Sequence, residues 1–165
     1  MPDAGELEFR IFDPARPPAS DLLAAMEAEL TRIYGTTGPK GVPLRHDELA
    51  PPSGAYVVAF VGEEPVGGGG IREIGPGLGE VKRMYVVPSW RGRGVARRLL
   101  AALEREASAL GFVRVRLDTG TAQADARHIY ETSGYRPIAD YNGNRRAAFW
   151  GEKLLELPDS DRVFS

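Results

Sequence analysis

The stretch Arg91-Gly92-Arg93-Gly94-Val95-Ala96 is the part of this sequence that decides the fold. It follows an apolar run, Met84 to Val87, that Pro88 ends, and it leads into an amphipathic stretch from Val95 to Leu110. A strand is therefore predicted to stop, a turn to follow, and a helix to begin on two closely spaced glycines.

Such a strand, turn and helix form a binding site for phosphate groups. Glycine has no Cβ, so the turn lets backbone N–H groups approach a ligand closely. The first N–H groups of a helix have no partner within the helix, and the helix dipole makes that end electropositive. Positive charge nearby comes from Arg91, Arg93, Arg97 and Arg98. The sequence therefore predicts a phosphorylated cofactor at this turn.

Size and composition indicate one globular domain over residues 1–165. The chain has 42% hydrophobic and 27% charged residues and a formal net charge of -2, so bulk attraction to nucleic acid is not expected. It contains no cysteine, which excludes a thiolate nucleophile and suits a cytoplasmic location. No apolar run reaches the roughly 18 residues that span a bilayer, and no metal-ligand pattern is present.

Hydrophobic periodicity gives the order of the elements. Strands and helices are expected in the order β-α-(α)-β-β-β-α-β-α-β-β, an α/β arrangement. The helices are expected from about Ser20, as N-cap, to Tyr34, from Gly94 to a C-cap at Gly111, and over Ala122 to Thr132. The strands are expected at Leu7–Phe12, Ala55–Val61, Val66–Ile74, Glu80–Val87, Phe112–Leu117, Tyr135–Tyr141 and Arg145–Leu155. The tract Gly67 to Gly70 is interpreted as strand backbone packed against a neighbour, because no phosphate-loop lysine follows it.

This pattern resembles the GNAT superfamily of acyl-CoA-dependent N-acetyltransferases. The family's cofactor motif corresponds to Arg91, Gly94 and Ala96, and Glu80 to Val86 is similar to its central fourth strand. The segment Ala126 to Tyr135 is similar to its late helix and the exit from it. The resemblance implies an α/β (α+β) fold: a twisted, mostly antiparallel sheet with parallel fourth and fifth strands, flanked by helices.

The resemblance also implies where acetyl-CoA binds, as a co-substrate and without a metal. Its pyrophosphate is expected on the N–H groups from Gly92 to Arg97. Its pantetheine arm is expected to pair with the backbone of Met84 to Val86, where the fourth and fifth strands splay apart, often at a bulge. The cofactor-binding residues implied are Met84, Tyr85, Val86, Arg91, Gly92, Arg93, Gly94, Val95, Ala96, Arg97 and Gln123.

Acetylation of an amine requires the neutral amine. An amine with a pKa of about 10.4 costs roughly 4.6 kcal/mol to deprotonate at pH 7, so a positioned base is needed. The first candidate is Glu80, eleven residues before Arg91, which is the spacing of the catalytic glutamate in one branch of the family. If no bulge intervenes, its side chain points to the same side as Lys82 and Met84. The second candidate is Asp118, five residues before Gln123, the base position of another branch.

The resemblance assigns the remaining chemistry. Tyr130 matches the family's general acid, which protonates the departing CoA thiolate. A backbone N–H of the fourth strand, that of Val86, is expected to hold the oxyanion. Transfer is expected to be direct, in a ternary complex, without an acyl-enzyme.

The acceptor stays open at this point. A small-molecule amine and a peptide amine are both compatible with the loops that would line the site, Tyr34 to His46 and Tyr141 to Arg146. These loops carry acids and arginines, so the charge does not choose between acceptors. A catalytically silent acyl-CoA sensor or scaffold is an alternative, and a nucleic-acid binder that uses the arginine cluster is another. The resemblance also makes a homodimer plausible, and no membrane contact is expected.

Overall fold

A computed structural model describes residues 6–38, 43–120 and 124–156. The helices are α1 (Ala19–Tyr34), α2 (Val95–Ala109) and α3 (Ala124–Thr132), and short 3₁₀ turns cover His46–Leu49 and Pro88–Trp90. The strands are β1 (Leu7–Phe12), β2 (Gly54–Val61), β3 (Glu64–Gly75), β4 (Leu78–Val86), β5 (Arg114–Gly120), β6 (Arg136–Pro137) and β7 (Ala147–Leu154). The predicted order of elements is confirmed. Among the described residues, no helix combines the length and apolar character needed to cross a membrane.

The seven strands form one mixed sheet in the order β1-β2-β3-β4-β5-β7-β6. Every neighbouring pair is antiparallel except β4 and β5, which run parallel. The crossover between these two parallel strands is made by α2, as a parallel pair requires. The predicted fold class, including the parallel fourth and fifth strands, is confirmed.

Helices cover both faces of the sheet. Alternation along β2 places Val58 in a buried cluster with Leu22 and Leu23 of α1, and Val57 in a second cluster with Leu99 of α2. The α1 face also carries the turn His46–Leu49, and the α2 face also carries α3 through Tyr130. The sheet therefore separates two layers, and a ligand on one face reaches the other only through a gap between strands.

Two glycine signals behave as the sequence predicted. A Cβ on Gly68 would lie 2.5 Å from the hydroxyl of Tyr56, and a Cβ on Gly69 would lie 2.9 Å from Cγ of Met84. This tract of β3 therefore needs glycine for close packing. At the end of α2, Gly111 has φ 93° and donates to the carbonyl of Ser108 at 3.0 Å, while Phe112 donates to Ala107 at 2.9 Å. These are the two bonds of a Schellman C-cap.

Two element predictions are wrong in detail. The N-cap of α1 is Pro18 rather than the predicted Ser20, and no side-chain hydrogen bond caps this helix. Ser20 lies inside the helix, and its N–H donates to the carbonyl of Arg16. The strand expected from Tyr135 to Tyr141 contracts to β6, because Pro137 has no N–H for the ladder. Oδ1 of Asp140 then accepts hydrogen bonds from the N–H groups of Asn142 and Gly143 in the next turn. This turn leads the chain toward β4 and β5.

Candidate active site

The candidate site begins where β4 and β5 separate. Their parallel ladder pairs Leu78 with Arg114, Gly79 with Val115, and Glu80 with Arg116, and it ends there. Beyond this point β5 continues to pair with β7 as far as Gly120. In the described part of the chain no strand pairs with β4 on this edge from Val81 to Val86. A gap therefore opens in the middle of the sheet.

A β-bulge on β4 changes the direction of its side chains at this gap. Gly68 pairs with Tyr85 and Gly70 pairs with Lys82, so β4 contains one residue more than β3. The bulge includes Arg83, the one residue other than glycine with a positive φ, 58°, in the described ranges. Val81 packs on the α2 face and Tyr85, four residues later, on the α1 face, although an unbroken strand would put them on the same face.

The bulge also settles the side of the sheet that Met84 faces. Met84 packs with the α2-face cluster beside Leu103. Glu80, in contrast, contacts Arg72, which bonds Glu48 of the 3₁₀ turn on the α1 face. Glu80 and Met84 therefore do not point to the same side. The expectation that they would do so held only if no bulge intervened, and a bulge is present between them.

The gap contains a cavity of about 80 Å³ that connects the two layers. Its walls come from α1 on one face, from α3 on the other, and from the separated strands between them. The lining includes Met26, Leu30, Tyr34, Lys82, Arg83, Met84, Asp118, Tyr130 and Arg146. Two of the predicted catalytic residues, Asp118 and Tyr130, therefore line the same space, here called the inner cavity. Glu80 does not line it.

A second cavity of about 190 Å³, the outer cavity, lies on the α1 face. Its walls come from α1, from the segment leading into the 3₁₀ turn, and from two arginines. It is lined by Leu23, Glu27, Leu30, Thr31, Leu44, His46, Arg83 and Arg146. The two cavities share Leu30, Arg83 and Arg146, so these residues stand at the junction between them. The outer cavity includes His46 from the predicted acceptor loop Tyr34 to His46.

The turn before α2 has the backbone needed for an anion. Gly92 and Gly94 have φ 77° and 82°, and a Cβ on either would meet no atom within 4 Å. The positive φ at these two positions favours glycine, and the space beside both residues is open. The first bond into the helix runs from Arg98 N–H to Gly94 C=O at 3.3 Å, so the amides of Val95 to Arg97 lack helical acceptors. Val95 itself is 1% exposed, and its side chain packs in a buried cluster with Val66 and Trp90.

Arg91 ties this turn to β4 and α1. Its Nε donates to the carbonyl of Val86 at 2.9 Å, its Nη2 donates to Glu29 at 2.9 Å, and its guanidinium lies 5.5 Å from the centre of the Tyr85 ring. Val87 N–H donates toward β3, to Val66, so the backbone groups of Val86 face the gap. The side chain of Arg91 therefore contacts the strand that was expected to pair with pantetheine.

Glu80 lies next to the gap, where the parallel ladder of β4 and β5 ends. Glu80 is 1% exposed, and its Oε1 accepts from Nε and Nη2 of Arg72 at 3.0 and 2.9 Å. Its Oε2 accepts from the hydroxyl of Tyr141 at 2.5 Å and from Asn142 at 3.3 Å. Glu80 is thus enclosed by donors and has little room for an acceptor amine.

Asp118 has a different environment. Its side chain is 10% exposed, and its Oδ2 lies 3.4 Å from Nζ of Lys82 and 2.6 Å from Nδ2 of Asn142. Asn142 is oriented in turn by Trp150, whose Nε1 donates to Oδ1 of Asn142 at 3.0 Å. Both Lys82 and Asn142 contact Oδ2 of Asp118, and Asp118 also lines the inner cavity.

Tyr130 is 6% exposed and lies beside Tyr135, with ring centroids 6.2 Å apart. Burial raises the pKa of the Tyr130 phenol above 10, and the negative charge of Asp118 raises it further. The phenol is therefore neutral at pH 7 and holds a proton that it can donate.

Sequence reasoning missed part of this site. It did not name Arg72. It named Lys82 only as a residue on the same side as Glu80, and Nζ of Lys82 does lie 3.8 Å from Oε2 of Glu80. Asn142 belongs to the loop Tyr141 to Arg146 that was predicted to line the site, but its bonds to Glu80 and Asp118 were not predicted. These bonds, and the bond from Trp150 to Asn142, form only because the β6–β7 loop returns to β4. The predicted cofactor contact Gln123 falls outside the described residues.

Comparison with known proteins agrees with this geometry. The model of the acetyltransferase (GNAT) family matches residues 22–135. An IAA acetyltransferase of Azospirillum brasilense is 36% identical over 83% of this chain and 94% of its own length. An acetyltransferase of the GNAT family from Staphylococcus aureus, 14% identical, superposes with a TM-score of 0.70 over 91% of this chain and 99% of its own.

A GNAT family acetyltransferase from Elizabethkingia anophelis, solved with acetyl-CoA bound, is 17% identical and has a TM-score of 0.64 over 91% of this chain and 99% of its own. At such low identity the two structures share the fold with this chain. The match to the family model and the 36% identity to the Azospirillum relative show the family as well as the fold. This chain belongs to the acetyltransferase (GNAT) family.

Proposed function

We propose that this protein transfers the acetyl group of acetyl-CoA to a primary amine, directly and in a ternary complex. The observation that supports this most strongly is the inner cavity, which crosses the sheet through the gap between β4 and β5. An acceptor can enter from the α1 face through the outer cavity, and the cofactor can enter from the α2 face. The two reactants would then meet between Asp118 and Tyr130 without a covalent enzyme intermediate.

The residues around the gap fit acetyl-CoA. The amides from Gly92 to Arg97 would hold its diphosphate, since they combine open space with the positive end of α2. The unpaired edge of β4 from Met84 to Val86 would hold its extended arm by strand-like pairing. When bound, the cofactor supplies an activated thioester. The N–H of Val86, which faces the gap, would stabilise negative charge that develops on the acyl oxygen.

Asp118 is the better of the two candidate bases. It faces the inner cavity, whereas both oxygens of Glu80 are taken up by Arg72, Tyr141 and Asn142. Asp118 would accept the ammonium proton, directly or through a water molecule. Glu80 would act as a positioning residue, because it bonds the same Asn142 amide that contacts Asp118.

Tyr130 would supply a proton to the departing thiolate. It stands on the α3 side of the inner cavity, opposite the α1 residues. Its raised pKa keeps the phenol protonated over the whole neutral range, which is the state that a general acid requires.

A thiol-release assay tests the proposal. Purified protein and acetyl-CoA are incubated with a panel of amines that covers amino acids, amino acid amides, polyamines, aminoglycosides and short peptides, and with IAA, after the name of the Azospirillum relative. Acceptor-dependent release of CoA is expected for at least one class, with an N-acetylated product by mass spectrometry. Saturable CoA binding without release on any acceptor would contradict the proposal and favour a sensor.

A further inference from the structure

Arg83 stands apart from the other cations of the site. It is half-buried at the bulge of β4 and lines both cavities at their junction. Within the described residues, no carboxylate oxygen lies within 4.0 Å of its guanidinium, and none accepts a hydrogen bond from it. The charge of Arg83 is therefore held at the cavity junction without an ion-pair partner from this part of the chain.

The neighbouring buried cations are paired. Arg72 contacts Glu48 and Glu80, and Lys82 contacts Asp118 at 3.4 Å. Withdrawing a charge from water without a partner is costly, and a positive φ on a residue other than glycine adds backbone strain. Both costs fall on Arg83. This combination at a cavity is expected where a ligand supplies the missing anion.

The surrounding charges do not supply it. Three cations, Lys82, Arg83 and Arg146, and one anion, Asp118, line the inner cavity. Asp118 is already bonded to Lys82 and Asn142. In the outer cavity the one carboxylate among the lining residues is Glu27, which is exposed and lies beyond ion-pair distance of Arg83. Neither of these carboxylates is therefore an ion-pair partner of Arg83.

The titration of Arg83 agrees with this placement. Burial lowers the pKa of its guanidinium, and the cations of Arg146 and Arg72 lower it further, while Glu27 and Asp118 act in the opposite direction. An arginine remains charged at any physiological pH, so the side chain is available to bind an anion.

From this placement we infer that the acceptor is a small amine that also carries a carboxylate, and that Arg83 binds this carboxylate at the junction of the two cavities. The inference rests on the proposed function and narrows its acceptor class. The planar guanidinium matches a carboxylate in a bidentate way. Cavities of about 80 and 190 Å³ suit a molecule of amino-acid size, and Leu23, Leu30 and Leu44 offer an apolar wall for a side chain.

Matched acceptors test the inference. Leucine and leucinamide, and phenylalanine and phenylalaninamide, differ only in the carboxylate and its neutral amide. CoA release gives kcat/KM for both members of each pair, with wild type, Arg83→Gln and Arg83→Lys. The intrinsic amine pKa differs within a pair, but this difference cancels when the acid-to-amide ratio of a variant is divided by that of wild type. Arg16→Gln, an exposed arginine before α1, is the matched control for the loss of one charge.

We expect Arg83→Gln to lower the acid-to-amide ratio about 10- to 100-fold, mainly through KM for the acid, as a lost charge-assisted bond predicts. Arg83→Lys is expected to recover part of the ratio, and Arg16→Gln to keep it. An unchanged ratio in Arg83→Gln overturns the inference while the proposed function stands. No CoA release with any acceptor in the wider panel overturns the proposed function and the inference with it.

A second measurement needs no variant, in case Arg83→Gln does not fold. 4-Methylpentanoate is leucine without its amine, and 4-methylpentanamide is its neutral counterpart. With wild type, the carboxylate is expected to compete with the acceptor at least 10-fold more strongly than the amide. Equal inhibition by the two compounds contradicts a carboxylate site at Arg83.

Discussion

The distinction between Glu80 and Asp118 gives the sharpest prediction for this protein. Glu80→Gln keeps the size of the side chain but removes its charge. Oε1 of Glu80 now accepts two bonds from Arg72, and Oε2 accepts from Tyr141 and Asn142. A glutamine amide has one acceptor oxygen, so its NH₂ group would face the Arg72 guanidinium in one orientation and the NH₂ group of Asn142 in the other. The variant therefore cannot satisfy both sets of partners.

The size of the effect follows from these contacts. Removing one partner of a buried ion pair costs about 3–5 kcal/mol. Arg72 keeps its contact with Glu48, which places the loss near the lower end, about 3 kcal/mol. For a chain of this length each kcal/mol lowers the Tm by roughly 2–4 °C, so a fall of roughly 6–12 °C is expected. If Glu80 only positions Asn142 and Lys82, kcat should fall less than about 10-fold at a temperature where the variant is folded, well below the 10²–10⁴-fold range of general acid–base catalysis.

The matched variant is Asp118→Asn. It removes the same charge from a carboxylate that faces the inner cavity, and Lys82 keeps Glu80 at 3.8 Å. Its Tm should fall less than that of Glu80→Gln, while kcat should fall about 10²- to 10⁴-fold, the range of general base catalysis. Thermal unfolding and CoA release measure both. The reverse pattern, with an unchanged Tm and a loss of rate above 100-fold in Glu80→Gln, would refute this division of roles.

Three further predictions concern the acid, the cofactor turn and alkaline stability. Tyr130→Phe should lower kcat about 100-fold or more and leave the Kd of CoA within about 3-fold, measured by titration calorimetry; an unchanged kcat would remove Tyr130 from the chemistry. Gly94→Ala and Gly111→Ala both place Cβ in open space at positive φ, so each should cost about 1–2 kcal/mol of stability, but only Gly94→Ala, at the start of α2, should weaken CoA binding, by about 10-fold. Equal CoA affinity in the two glycine variants would argue against the turn as the diphosphate site. Burial raises the pKa of several phenols above 10, so the stability they contribute is present below pH 10 and is lost as the pH rises further, by about 1.4 kcal/mol per pH unit for each group. These phenols belong to Tyr56, Tyr130, Tyr135 and Tyr141. Denaturant titrations from pH 8 to 11 should show this fall, and a flat profile would contradict it.

The sequence carried most of the information needed for α2 and its surroundings. Gly94 and Gly111 mark the two ends of the helix because both adopt positive φ, which glycine tolerates and other residues resist. The packing of the β3 glycines has a different cause: a Cβ at Gly68 or Gly69 would lie within 3 Å of Tyr56 or Met84. The parallel pairing of β4 and β5 was implied by the family resemblance, and the helix that connects these two strands agrees with it.

The details of the site were less predictable. The bulge at Arg83 has no local signature, since arginine, unlike glycine, does not favour the φ of 58° that it adopts there. Asn142 reaches Asp118 over 24 residues of chain, and no spacing rule describes such a contact. The residues that decide between Glu80 and Asp118 are therefore those that only the folded chain brings together.

The central claim is that the gap between β4 and β5 is the place where cofactor and acceptor meet. A crystal structure of the protein with CoA tests it most directly. We expect the diphosphate on the amides of Gly92 to Arg97 and the thiol sulfur in the inner cavity, within reach of Tyr130. A CoA molecule bound elsewhere, with the turn and the gap unoccupied at saturating CoA, would contradict the claim.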